Sequence, residues 1–119
     1  MAVSIIPNPV KELQVETGTF SSSDWTANKA TFTSGTYYKY GKIWVAELSL
    51  KTNAAYNAGS EYELGTLKPS AFPCNTKSFG IHVFGTVTAQ GSGLLRTAPS
   101  TALSSGRAIY MKILTVDNS

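Results

Sequence analysis

A single histidine, seven carboxylates and one cysteine are the residues through which this chain could do acid–base, metal or nucleophilic chemistry. His82 is alone, so one chain cannot assemble a Ser/His/Asp triad or a multi-histidine metal site. It alternates with apolar positions on a predicted strand, which reads as a structural or surface histidine. Glu61 and Glu63 fall two apart, on one face of a predicted strand, close enough to act as a carboxylate pair. A solvated strand face explains the same spacing, and we expect no catalysis from it. Cys74, flanked by Pro73 and Asn75, has no partner for an internal disulfide or a metal-ligand pair, and reads as a small buried or turn residue. The glycines stand singly at turns, so there is no phosphate-binding loop. The expected reading is a non-enzyme with no catalytic residues, no metal and no cofactor.

Aromatic side chains are the better lead. Tyr and Trp join a flat apolar face to a polar edge, which suits them to stacking on sugars and to protein interfaces. Trp44 keeps phase with Ala46, Leu48 and Leu50, which assigns it to core packing. Trp25 and Tyr56 lie in polar, loop-like stretches and are the candidate ligand-binding residues. The alternative for both is a side chain folded back over the edge of the domain.

The elements that must position these residues centre on 35–73. From Lys42 to Leu50, Trp44, Ala46, Leu48 and Leu50 share one face, while Val45, Glu47 and Ser49 share the other. Period-two alternation marks a half-buried strand. Before it, residues 1–10 with Pro7 and Pro9 read as an extended lead-in, and residues 11–119 as one domain. A first strand is expected over Lys11–Phe20, a short one over Ala30–Thr33 ended by Ser34-Gly35, and Thr36–Tyr40 then leads through Gly41 into the long strand. Asn53–Ser60 reads as a loop with room for a helical turn, and Glu61–Leu67 as a strand with Tyr62 and Leu64 inward. A proline-bounded turn follows at Lys68–Asn75. Phe79–Thr88 reads as one strand, Leu94–Thr97 as a short one, Ala98–Gly106 as a loop, and Arg107–Val116 as the last strand. Seven or eight short strands without a convincing helix predict an all-β, antiparallel β-sandwich or jelly-roll-like single domain.

At 119 residues the chain is long enough for one domain with a real core. Charged residues are 14% of it, against about a quarter in ordinary domains. Its net charge is only +3, with the basic residues scattered, so no nucleic-acid interface is expected. No apolar run approaches the ~20 residues of a membrane span, so no membrane insertion is expected. The N-terminus lacks the charged and apolar regions of a signal peptide. Several strands are apolar on both faces: Phe84 opposes Phe79, Ile81 and Val83, and Tyr110 and Leu114 oppose Ile109, Met111 and Ile113. That pattern hints at oligomerisation, or reflects only the aptitude of Tyr, Phe and Thr for strands.

Three segments occur in an order that resembles the C-terminal β-sandwich domain of phage and prophage tail fibre, receptor-binding or baseplate proteins. They are YKYGKIWVAELSL, YELGTLKPSAFP and TALSSGRAIYMKI, and the resemblance runs from Tyr38 to Val116. The chain departs from that pattern after LGTL, where Lys68 precedes Pro69 and Phe72 precedes Pro73. The resemblance implies a virion location and a homotrimer in contact with other tail proteins. The function it implies is the head domain of a tail fibre, attaching to a host cell-surface glycan. A purely structural baseplate or head-fibre module and a stand-alone carbohydrate-binding module are the alternatives. The resemblance supplies no catalytic residues.

Overall fold

The computed structural model describes residues 15–74, 79–82 and 84–117. The lead-in expected over 1–10 and the start of the first expected strand lie outside the described residues, as do Asn75 and Val83. Nine strands form in chain order: β1 (Glu16–Thr19), β2 (Trp25–Ala27), β3 (Ala30–Tyr40), β4 (Ile43–Thr52), β5 (Tyr62–Leu67), β6 (Phe79–His82), β7 (Gly85–Ala89), β8 (Leu94–Thr97) and β9 (Ala108–Val116). The only helical element among the described residues is a 3-10 turn at Ser22–Asp24. Its Asp24 carboxylate accepts the Ser21 N–H at 2.9 Å, closing a local turn.

The all-β, antiparallel expectation stands, but the sandwich and jelly-roll form does not. The strands make one sheet in the order β1-β3-β4-β9-β6-β7-β8-β5-β2, curled into a half-barrel rather than split into two facing sheets. The ladder never breaks, because β6 pairs with β9 on one side and with β7 on the other. Phe79–Thr88 is thus two strands and a tight hairpin instead of the one strand expected, with His82 opposite Gly85. Curling wraps the concave face around the apolar side chains. It also brings β2 back to the start of β3, where the Trp25 indole N–H donates to the Ala30 carbonyl at 3.1 Å.

The long central strands follow the alternation in the sequence. In β4, Ala46, Leu48, Leu50 and Thr52 are buried, and in β9 Ile109, Met111, Ile113 and Thr115 are buried. Paired in register from Ile43↔Val116 to Lys51↔Ala108, they place these residues on the same inner face. Ser34-Gly35 does not end a strand as expected. A bulge between Phe32 and Ser34 absorbs the irregularity, and β3 runs on for 11 residues. Gly35 serves close approach here, since a Cβ would lie 2.8 Å from the Leu48 side chain and 3.0 Å from Phe20. Phe20, Tyr37, Trp44 and Phe72 then close one end of the core, with ring centroids 5.3–6.1 Å apart in tilted and edge-on arrangements.

Candidate functional site on the outer sheet face

The two residues expected to carry a ligand are not on the surface. Trp25 is 7% exposed and Tyr56 1%. Trp25 lies in β2, paired with Leu67, and its ring covers Gly65, where any Cβ would fall 2.3 Å from a ring atom. Tyr56 stacks on Tyr62 with ring centroids 4.3 Å apart, and its hydroxyl donates to the Lys29 carbonyl at 2.5 Å. Burial, and then the neighbouring Tyr62, push its phenol up to about 12. Both side chains find backbone acceptors for their one polar atom, so burial costs little and leaves a large apolar area inside. They fold back over the domain edge, the alternative reading of polar-flanked aromatics.

Glu61 and Glu63 converge on a cation. Arg96 reaches Glu63 at 3.0 Å and Glu61 at 3.7 Å, and Asn28 donates to Glu63 at 3.4 Å. Two carboxylates sharing one guanidinium at the surface form an ion-pair cluster. Cys74 is a buried free thiol whose pKa burial pushes up to about 11, which keeps it protonated and unreactive. Among the described residues no group of three or more His, Cys, Asp or Glu could hold a metal ion.

His82 is a structural histidine. The Phe84 N–H donates to its Nδ1 at 3.0 Å, which leaves the ring proton on Nε2 to donate to Thr97 Oγ1 at 2.6 Å. The Thr97 hydroxyl passes its own proton to the Thr86 carbonyl at 2.8 Å. This chain accommodates only the neutral imidazole, and burial lowers the pKa of His82 below its ordinary value. The unfolded chain therefore takes up a proton near pH 6.5 that the folded chain refuses. Stability is complete above that pH and falls as pH drops through it toward the lowered folded value, by up to about 1.4 kcal/mol per pH unit. Urea unfolding at pH 7.5 and 5.5 should show this loss in the wild type, and His82→Gln should remove most of the difference. An equal loss in both proteins would assign it to the carboxylates instead.

The exposed chemistry lies on the outer face of β3, β4, β9 and β6, where cross-strand register sets it out in rows. Tyr40, Ile43 and Val116 form the first row and Tyr38, Val45 and Leu114 the second. Thr36, Glu47, Lys112 and Ile81 form the third, and Ser34, Ser49 and Tyr110 the fourth. Tyr40, Ile43, Leu114 and Val116 are exposed in the first two rows, and Ile81 (61%) and Tyr110 (65%) beyond them. The third row carries the charge. Lys112 Nζ sits 3.3 Å from Glu47, and the Tyr38 hydroxyl lies on the other side of the same carboxylate, in the next row. The neighbouring Tyr38 hydroxyl, and then Lys112, lower the Glu47 pKa, and the Glu47 carboxylate raises that of Tyr38. Glu47 therefore stays ionised, and its carboxylate faces the Lys112 ammonium across the strand pair.

A trough of about 800 Å³ lies on the fourth-row side of this ion pair, and a smaller one of about 280 Å³ lies among Tyr38, Tyr40, Val45, Glu47 and Lys112. The sequence signal for this face was the apolar residue on the wrong side of an alternating strand, Tyr110 and Leu114 above all. Which of those residues become neighbours depends on strand pairing, and the alternation does not contain it. No known protein-family model matches the chain, and no curated protein sequence is significantly similar to it.

Proposed function

We propose that this chain is a head domain of a phage or prophage tail fibre or receptor-binding protein, a trimer that attaches to a host-surface saccharide. The observation that carries this reading is the pair of apolar rows, Tyr40–Ile43–Val116 and Tyr38–Val45–Leu114, set side by side on a solvent-facing sheet. A monomer keeps apolar groups on such a face dispersed, and contiguous ones mark a surface that another protein covers. A closed three-fold assembly turns the same strip of each subunit toward a common axis, so one patch suffices for all three contacts. The motifs behind the resemblance support it by their places in the fold. YKYGK forms the β3–β4 turn with Gly41 at φ 62°, LGTL ends β5, and ALSSG makes the turn into β9 with Gly106 at φ 83°.

Light scattering on a size-exclusion column tests the assembly. The expected mass is three times the 12.7 kDa of the chain. Ile43→Lys combined with Leu114→Lys should reduce it to one chain mass, since two ammonium groups on the patch cannot be desolvated without partners. A wild-type monomer across a wide concentration range would remove the trimeric head and leave a lone binding module.

A further inference from the structure

We infer that the trough bounded by Ser34, Ser49, Ile81 and Tyr110 on the outer sheet face binds an uncharged glycan. The inference rests on the host-attachment reading above, but places the ligand on residues that neither the motifs nor the buried aromatics indicated. Its volume, about 800 Å³, is in the range of small-molecule sites, which run from about 300 to 1,000 Å³. Its character comes from three neighbouring groups. Tyr110 is 65% exposed, a rigid aromatic ring free to take the C–H face of a pyranose, and Ile81, beside Lys112 on β6, offers a second apolar contact. On the opposite side β3 lines the trough with the hydroxyl-bearing side chains of Thr33, Ser34 and Thr36, and β4 adds Ser49. Between them, Glu47 and Lys112 present an acceptor and a donor 3.3 Å apart. That pairing matches two adjacent hydroxyls on a sugar ring, one donating to the carboxylate and one accepting from the ammonium.

The same arrangement argues against other occupants. Glu47 and Lys112 are the only charged groups lining the trough among the described residues, and they neutralise each other. A charged glycan finds no unpaired opposite charge in the trough to receive it. An extended peptide adding to the sheet is excluded as well. β3, β4 and β9 are interior strands of the ladder, with no free edge beneath the trough. A lipid chain would leave the row of hydroxyls without partners.

The test is titration of the full chain with three neutral hexasaccharides: β-1,4-linked glucose, α-1,4-linked glucose and β-1,4-linked N-acetylglucosamine. Polysialic acid serves as the anionic comparison, with binding followed by calorimetry and by amide shifts in NMR. At least one neutral glycan should bind and shift amides of β3, β4 and β9 around Ser34, Ser49 and Tyr110. Tyr110→Ala should weaken that binding at least tenfold, and Glu47→Gln should weaken it too. Tyr110 is a surface side chain, so the variant should keep the wild-type circular dichroism. Ile43→Lys with Leu114→Lys, on the other half of the face, should leave the glycan contacts of each chain in place. No binding of any of the three at millimolar concentration overturns the proposal. So does binding of polysialic acid alone, or binding that Tyr110→Ala does not change. The solution mass separates this result from the assembly: a monomer that binds at Tyr110 removes the trimer and keeps the site, and a trimer that binds none of the three does the reverse.

Discussion

Tyr56→Ala is expected to lower the unfolding free energy by about 3–5 kcal/mol, the range for removing a large aromatic from a packed interior. Tyr56 is 1% exposed, and its ring lies almost parallel to Tyr62, at 14° and 4.3 Å between centroids. It also ties three distant pieces of chain. Its backbone pairs with Leu103 in both directions, at 2.8 and 3.0 Å, and its hydroxyl reaches Lys29 next to β3. Truncation leaves a cavity under Tyr62, and the strand pairing around it prevents collapse into the space. Tyr56→Phe isolates the hydroxyl and should cost only about 1 kcal/mol, a typical hydrogen bond. Lys29 keeps the Asn53 N–H as a donor to its carbonyl at 3.1 Å, so no acceptor is orphaned. Urea denaturation of the three proteins checks both numbers. If the phenylalanine variant lost as much as the alanine one, the hydroxyl and not the stacked ring would hold the 52–60 loop in place.

Tyr56 also shows where sequence reading stops. Its neighbours Asn53, Asn57, Gly59 and Ser60 are polar and exposed, and composition alone puts the tyrosine among them on the surface. What buries it is the long-range bridge to Leu103, 47 positions away, which no local pattern encodes. Trp25 follows the same rule, because its cover comes from β5 and its acceptor from Ala30. The central strands were legible for the opposite reason. In β4 and β9 the inner face is continuous and apolar, and a one-residue slip would expose all of it, so alternation specifies both strand and facing. The sandwich expectation failed at the β6–β7 hairpin. Phe79, Ile81 and Val83 alternate, and the reversal is signalled only by Phe84 on the opposite face and by Gly85, which pairs with His82. The outer-face site was half legible: Tyr110 and Leu114 were visible as outward apolar residues, while the Glu47–Lys112 pair that divides the face arises from a 65-residue separation closed by the sheet.

Three glycine-to-alanine changes at turns should have three different costs, and the largest falls at Gly93. This residue, buried at φ 89° in the β7–β8 turn, faces the end of β5. A Cβ there would lie 2.0 Å from the Leu67 carbonyl oxygen, a backbone atom that cannot rotate away. Nor can the two segments simply separate. Leu67 N donates to the Gly93 carbonyl at 2.8 Å, Gly93 N donates to Gln90 at 2.8 Å, and Leu67 is fully buried opposite Trp25. Relieving the overlap strains a positive-φ backbone, worth roughly 1–3 kcal/mol, and loses a hydrogen bond of about 1 kcal/mol. Displacement of Leu67 from the core adds to this, so Gly93→Ala should cost roughly 3 kcal/mol or more. Gly41 has a positive φ of 62° but nothing within 4 Å of a Cβ, which leaves only the backbone penalty of about 1–2 kcal/mol. Gly91 has neither the strained backbone nor a neighbour within 4 Å, and its alanine variant should match the wild type within about 0.5 kcal/mol. Urea midpoints for the three variants give the order directly. Equal costs at Gly93 and Gly41 would mean that the turn yields to the added methyl. The contact between the β7–β8 turn and the end of β5 would then be looser than the 2.8 Å Leu67–Gly93 bond implies.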